Sequence, residues 1–233
     1  GVIEILSSRR EYTKLNPFIV LLGRGEHEIT SSWTDPRGYE FETTLGITRS
    51  NITLVGTGKD TTTILGGFAI VNLENITFKN MTVTNTTRNG SGIDLRNAEV
   101  ELTDVALKGC SGPAFYIPRS AFATTLVATR CEFANSRYGA FVNGKLTSAK
   151  FNNCVFHDNE FHGLVGWQST VHLHGEATAA HSNKRHGIWA HGFGKMIIHL
   201  PSHHNTSYNN GRETPNGVDR WTSYGGTITN VED

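Results

Sequence analysis

The chain is short of charge, of hydrophobic residues and of cysteine. Only 18% of its 233 residues are charged, and acids and bases balance at 21 each. A dedicated nucleic-acid binder needs a basic surplus to displace counterions, so the balance argues against one. Hydrophobic residues make up 37%, which is low for a globular chain. Disorder combines low hydrophobicity with high net charge, and the second half of that signature is missing. No run of 18 apolar residues occurs, so no membrane span is expected. The opening stretch GVIEILSSRREYTKL has no apolar core followed by a small-residue cleavage site, so no signal peptide is visible. Cys110, Cys131 and Cys154 are three and widely spaced, which favours free buried thiols over a disulfide framework.

The share left vacant is taken by 25 glycines and by Thr, Asn and Ser. These are poor helix formers, so the composition is that of a β-protein with many turns. Six glycosylation sequons, at Asn51, Asn75, Asn80, Asn85, Asn89 and Asn205, read as by-products of Asn- and Thr-rich turns.

An internal repeat organises the chain. Asn135-Ser-Arg-Tyr138-Gly139 returns as Asn159-Glu-Phe-His162-Gly163 and as Asn183-Lys-Arg-His186-Gly187, 24 residues apart each time. A short apolar stretch follows each glycine, and Gly92-Ile-Asp-Leu95 and Ala114-Phe-Tyr-Ile117 fill the same slot earlier. Ahead of each Asn runs a second pattern. It reads Ile76-Thr-Phe78-Lys-Asn-Met81-Thr-Val83, and recurs from Val100, Leu126, Ala149 and Val171. Phe18–Gly23 and Ile52–Gly56 look like earlier copies, and Ile197-Ile-His199 a weaker later one. Each copy is two short alternating strands joined at two polar residues. Units this short cannot bury a core alone, so they stack as coils about 4.8 Å apart. The expected inner columns are Phe78, Leu102, Ala128, Phe151, Leu173; Met81, Val105, Cys131, Cys154; and Val83, Leu107, Phe133, Phe156. The leucine-rich signature that competes at this period is absent.

The repeated Ile-x-Phe-x-Asn-x-x-Phe rhythm with Gly-Ile or Gly-Ala starts resembles the right-handed parallel β-helix repeat of the pectate-lyase-like superfamily, over roughly residues 48–205. The expectation is an all-β, right-handed parallel β-helix of about eight coils in one domain over residues 1–233. Residues 1–15 form a lead-in or cap, 16–205 the coils, 31–44 a loop insertion, and 206–233 a turn-rich segment with a last strand at Thr227–Val231. That superfamily implies no single activity, since it spans lyases, hydrolases, epimerases, adhesins and non-catalytic recognition domains.

Three features are candidates for chemistry. Ten of the eleven histidines lie between 157 and 204. His157, Asn159, His162 and His181, Asn183, His186 occupy the same register, so four imidazoles are expected at one corner with His191 near. They are either transition-metal ligands or rungs of a polar ladder with Asn135, Asn159 and Asn183. Strand alternation turns Asp94 outward, and with it Tyr116, Phe141, Val165 and Trp189, with Trp167 beside them. Such a row is either a binding platform for a glycan or protein partner or a surface covered by another segment. No column stacks the paired carboxylates that glycosidases need or the acidic cluster of calcium-dependent lyases. Asp104 beside Arg130 reads as an ion-pair step. If the chain is an enzyme, its acid and base come from His157, Asp158, Glu160, His162, Lys184, Arg185 and His186. No phosphate loop, nucleophile elbow or dinucleotide fingerprint occurs, and no cofactor is expected. The favoured reading is a non-catalytic recognition solenoid, and the alternative a polysaccharide lyase or epimerase with its site at the histidine-rich corner.

Overall fold

The computed structural model describes residues 11–35, 38–199, 207–211 and 217–232. The chain winds as a parallel β-solenoid with three faces. The first face stacks Phe18–Leu21, Ile52–Val55, the leading half of Ile76–Thr84 and of Glu99–Lys108, Thr124–Thr129, Thr147–Asn152, Thr170–His174, Lys195–His199 and Thr227–Val231. Gly25–Glu28, Thr62–Leu65, the trailing halves of the two long strands, Glu132–Ala134, Val155–His157, Ala179–His181 and Ser207–Tyr208 build the second. The third runs from Thr44–Ile47 through Gly67–Val71, Ile93–Arg96, Pro113–Ile117, Tyr138–Asn143, Leu164–Trp167 and Ile188–His191 to Arg220–Ser223. Among the described residues the second and third faces each stack eight strands, close to the expected count of about eight coils. No helix among the described residues is long and apolar enough to cross a membrane.

The expected inner columns are in register. Phe78 pairs with Leu102, Leu102 with Ala128, Ala128 with Phe151 and Phe151 with Leu173. Val83, Leu107, Phe133 and Phe156 follow suit on the second face. All are buried, at about 1.5–3 kcal/mol for each large side chain. Phe133 stacks on Phe156 at 4.9 Å and meets Phe151 edge-on at 5.6 Å. The three cysteines are free and buried, with Cys110 at the corner after the second face, where its N–H donates to Ser136 Oγ. Burial pushes the Cys110 thiol up to about 11, so it packs as a small apolar group.

A closed coil must turn sharply at its corners, and one left-handed residue does this. Between the first and second faces the turn residues are Asn80, Asp104, Arg130, Asn153 and Gly175, all with φ between 53° and 86°. After the second face they are Asn135, Asp158, Ser182 and Asn209, with φ between 48° and 57°. Short polar side chains tolerate this backbone, which is why the two polar residues interrupt each alternating pattern. Arg130 is the exception, and the Asp104 carboxylate on the coil below holds it through Nη2 at 2.7 Å and Nε at 2.9 Å. The expected ion-pair step is therefore present.

An amide ladder fastens the corner between the second and third faces. Asn159 Nδ2 donates to Asn183 Oδ1 at 2.8 Å, Asn183 Nδ2 to Asn210 Oδ1 at 2.8 Å, and Asn210 Nδ2 to Asp219 Oδ1 at 2.9 Å. The same carbonyl oxygens accept the backbone N–H of Asn159, Asn183 and, from Asp219, Asn210. Asn135, expected in this ladder, lies outside it and is exposed. The turn from Ala134 to Gly139 is one residue shorter than the turn from His157 to Gly163, so buried Ser136 takes the slot and donates its N–H to Asn159 Oδ1. The glycine of the repeat is required by the same tight stacking. A Cβ on Gly163 would stand 2.7 Å from both the Gly187 carbonyl oxygen and Asn183 Nδ2.

Other departures from the sequence reading are local. Two extra residues follow Gly175, so Ala180 rather than Thr178 continues the Phe156 column. Residues 206–233 do not merely trail off. Ser207–Tyr208, Arg220–Ser223 and Thr227–Val231 form a further coil in register on all three faces. The insertion folds as an antiparallel hairpin, Trp33–Thr34 against Glu40–Phe41. At the other end of the chain the cap falls partly on residues 1–10, outside the described residues, while Tyr12 packs edge-on against Phe18 at 5.1 Å. Several sequon asparagines are spent on the stack itself: Asn75 Nδ2 donates to Asn51 Oδ1, Asn51 Nδ2 to the Tyr12 carbonyl, and buried Asn85 Nδ2 to the Ser91 carbonyl. Asn205 lies outside the described residues.

The ladder makes a direct prediction. Replacing Asn183 with Ala leaves buried N–H and C=O groups on two coils without partners, at about 1–3 kcal/mol each. Asn183→Ala should lower the unfolding free energy by about 2–4 kcal/mol, whereas Asn135→Gly, at an exposed left-handed turn, should stay within about 0.5 kcal/mol. Urea titrations of the two variants against the parent chain check both values.

Candidate functional site

The outer surface of the third face carries three columns of side chains in register. The central one is Asp94, Tyr116, Phe141, Val165, Trp189 and Trp221. Two residues along each strand, Asn143, Trp167, His191 and Ser223 align. Ahead of the strands Tyr138, His162 and His186 stack, with ring centroids 5.7 Å and 4.8 Å apart.

Because neighbouring coils are one strand spacing apart, the rings touch. Tyr116 lies 5.8 Å from Phe141, and Phe141 lies 6.2 Å from Trp167. Trp167 meets His191 at 4.3 Å, and His191 meets Trp189 at 4.9 Å and Tyr224 at 5.0 Å. Trp221 stacks flat on His186 at 5.4 Å. Hydrogen bonds fix the orientation of the central rings: Trp189 Nε1 donates to Ser223 Oγ at 3.0 Å, and His191 Nδ1 lies 2.8 Å from the same oxygen. The wall is dense enough to bury Val165 fully although it points outward, while Tyr116, Phe141, Trp167 and Trp189 are half-buried. Exposure rises at the C-terminal end, to 44% at Trp221 and 79% at Tyr224.

At the opposite end of the central column the surface is covered. Asp94 points outward but is buried, because the hairpin brings Asp35 over it and Arg96 bridges the two carboxylates at 2.9 and 2.8 Å. Phe41 of the hairpin lies under the Arg96 guanidinium. One face thus carries both a covered end, at Asp94, and a more exposed end, at Trp221 and Tyr224.

The four histidines expected at one corner divide into two stacks on either side of the amide ladder. His157 stacks on His181 at 5.2 Å, and His181 on Tyr208 at 5.0 Å, on the second face. His162 and His186 belong to the aromatic wall. Neither stack gathers a third ligand for one ion among the described residues. Glu132 and Asp158 engage opposite nitrogens of His157, Nε2 at 3.3 Å and Nδ1 at 2.7 Å, so they cannot share a metal with it. The Nδ1 atoms of His162 and His186 already accept backbone N–H groups, from His186 and Val218. Asp158, Glu160, Lys184 and Arg185 sit on the exposed turn between the stacks. Arg137 and Arg185 both lie over the Phe161 ring, at 5.4 and 4.5 Å, giving the wall a cationic border.

Two residues of the wall escaped the sequence reading: Trp221 and Tyr224. Trp189 and Trp221 are 32 residues apart rather than 24, which hid the copy Arg220-Trp-Thr-Ser-Tyr224 of Ile188-Trp-Ala-His.

Protonation divides the two stacks as well. Burial pushes the His162 pKa down to about 3, reinforced by the neighbouring His186 and Arg185. His186, His181 and His191 are also held below the ordinary value, each first by burial. His157 moves up, through its hydrogen bond to Glu132 and then that to Asp158. A depressed histidine contributes stability that is complete above the unfolded value near 6.5 and is lost as pH falls below it. For His157 the sign is opposite: its contribution is complete below about 6.5 and fades as pH rises through its raised pKa. The chain should therefore lose stability on acidification from pH 6.5 to 4.5, with His162 contributing up to about 1.4 kcal/mol per pH unit. Urea midpoints across that range, measured on the parent and on His162→Asn, should show the slope of the variant smaller by about one proton.

Residues 91–230 match the family model described as "right handed beta helix region". Among curated proteins, none matches the chain in sequence. Among solved structures, the chain is similar to the A-module of the mannuronan C-5 epimerase AlgE4 of Azotobacter vinelandii, with 20% identity and a TM-score of 0.50. That similarity covers 84% of this chain and 50% of the module, so the chain spans about half the length of the protein it matches. At this identity the likeness is one of fold. The family match extends over more than half of the sequence, and the chain belongs to the right-handed β-helix family.

Proposed function

We propose that the chain is a glycan-recognition solenoid whose binding surface is the aromatic wall of the third face. The observation that carries this reading is the continuous ladder of rings over successive coils, Tyr116, Phe141, Trp167, Trp189, Trp221 and Tyr224, with its exposed end at the last two. Flat rings match the apolar faces of sugars, while imidazoles and hydroxyls at the ring edges exchange hydrogen bonds with sugar hydroxyls. His162, buried among the rings, is a neutral imidazole at working pH, so it adds no charge beneath the wall. The cationic border of Arg137 and Arg185 favours an acidic polysaccharide over a neutral one. The neighbouring fold is named for a mannuronan epimerase, which agrees with a glycan ligand.

Binding of defined oligosaccharides, uronates and neutral glucans alike, measured by calorimetry, tests the reading. Trp221→Ala and Trp189→Ala should each weaken binding about tenfold, the loss of roughly 1.4 kcal/mol of ring contact, with the melting temperature of Trp221→Ala unchanged. Affinity untouched in both variants would remove the wall as the ligand surface. Product analysis of the same mixtures separates the catalytic alternative. New unsaturated ends or inversion at C-5, abolished by His162→Asn, would make the wall an active site instead.

A further inference from the structure

A second histidine cluster lies away from the wall, on the outer surface of the first face. His172 and His174 leave the same strand, Thr170–His174, two residues apart and therefore on one side of the sheet. His199 ends the adjacent strand, Lys195–His199, where the register Leu173 to Ile198 places it beside His174. The rings of His174 and His199 are 3.8 Å apart, and those of His172 and His199 5.2 Å. His172 Nδ1 lies 2.9 Å from His199 Nε2. One nitrogen from each of the three rings falls within a set no wider than 4.8 Å. It is the one group of three or more potential metal-ligating side chains among the described residues.

We propose that His172, His174 and His199 form a transition-metal site, of the class that takes Zn2+, Cu2+ or Ni2+. Three imidazoles bound at about 2.0–2.1 Å in a tetrahedral arrangement stand roughly 3.3 Å from one another. The 2.9 Å contact already lies within a few tenths of an ångström of that spacing, and small side-chain rotations bring in the third nitrogen. Each ring is half-buried and carried by a strand of the first face. Three imidazoles leave one position of a tetrahedral ion for a further ligand. Imidazole donors without carboxylates select transition metals and not Mg2+ or Ca2+. The neighbour of His172 in register is Lys150, whose exposed ammonium is screened by solvent. The site is independent of the aromatic wall, which occupies another face of the solenoid.

The test uses the full chain, carrying no polyhistidine tag and stripped with a chelator. Calorimetric titration with Zn2+ should give one ion per chain, and Co2+ should give the visible absorption of a four-coordinate ion. His174→Ala and His199→Ala should each weaken Zn2+ binding by more than about 100-fold, beyond the 10–100-fold that loss of an outer partner costs. His199→Gln keeps the bulk of the side chain and should show the same loss with an unchanged melting temperature. Ca2+ should not compete. The proposal falls if no stoichiometric Zn2+ is bound, or if binding survives His199→Gln. It also falls if the loss follows His157→Ala and His181→Ala, or the pair His203→Ala and His204→Ala, rather than the three named ligands.

Discussion

Everything in this molecule depends on one constraint: each coil must lie on the one before it at the strand spacing of about 4.8 Å, in register, all the way round. That spacing constrains the backbone conformation at the corners. A left-handed residue is needed at the same place in each coil, so Asn, Asp and Gly recur there. Where two coils approach most closely only glycine fits, as Gly163 shows against the Gly187 carbonyl. Where a buried corner exposes backbone N–H groups, a side-chain amide must satisfy them. The acceptor Asn183 Oδ1 serves both the backbone and the side chain of Asn159. The low hydrophobic content follows from the same geometry, because a narrow solenoid has a thin core and a large surface.

The constraint also amplifies whatever points outward. A residue type repeated at the coil period becomes a column, and neighbours in a column are in contact whether or not contact is useful. For aromatic rings the result is the wall of the third face. For imidazoles the result is a limit on charge, since stacked rings about 5 Å apart cannot all be protonated without repulsion. The two stacks resolve this differently. His162 and His186 are desolvated among rings and bound through Nδ1 to backbone N–H groups; His162 is held neutral and His186 below its ordinary value. His157 has two carboxylates to balance a proton, and its partner His181 remains below the ordinary value beside it.

The parts of the structure legible in the sequence are those where the period holds. The interval of 24 placed His157 over His181, Asn159 over Asn183 and His162 over His186. The inner columns followed because volume and alternation agree in every copy. Legibility failed where the chain changes length between coils. One residue fewer before Gly139 moved Asn135 out of the ladder, two more after Gly175 shifted the next strand, and the longer last coil concealed Trp221. None of these changes disturbs the backbone stack, since corners absorb insertions while strands stay in register. The cover over Asp94 was illegible for another reason. It depends on a hairpin folding back on the solenoid, and Asp35 and Arg96 are 61 residues apart. Similarly, His172, His174 and His199 fall on strands whose copies are irregular, so no repeated motif announced them.

The geometry of the wall restricts how a ligand can lie on it. Along one strand, successive outward residues are about 6.6 Å apart and only two or three fit before the corner. Across the strands a ring recurs at each coil from Tyr116 to Trp221, in the central column except on the Val165 coil, where Trp167 of the next column supplies it. An extended chain running parallel to the solenoid axis therefore meets one ring per coil. A ligand lying along a strand meets Trp189 and His191 and then leaves the surface. Each coil adds a small contact, so affinity for an axial ligand grows with the number of coils it spans. The hairpin over Asp94 limits that row at one end. Trp221 and Tyr224, the most exposed members of the wall, form the other.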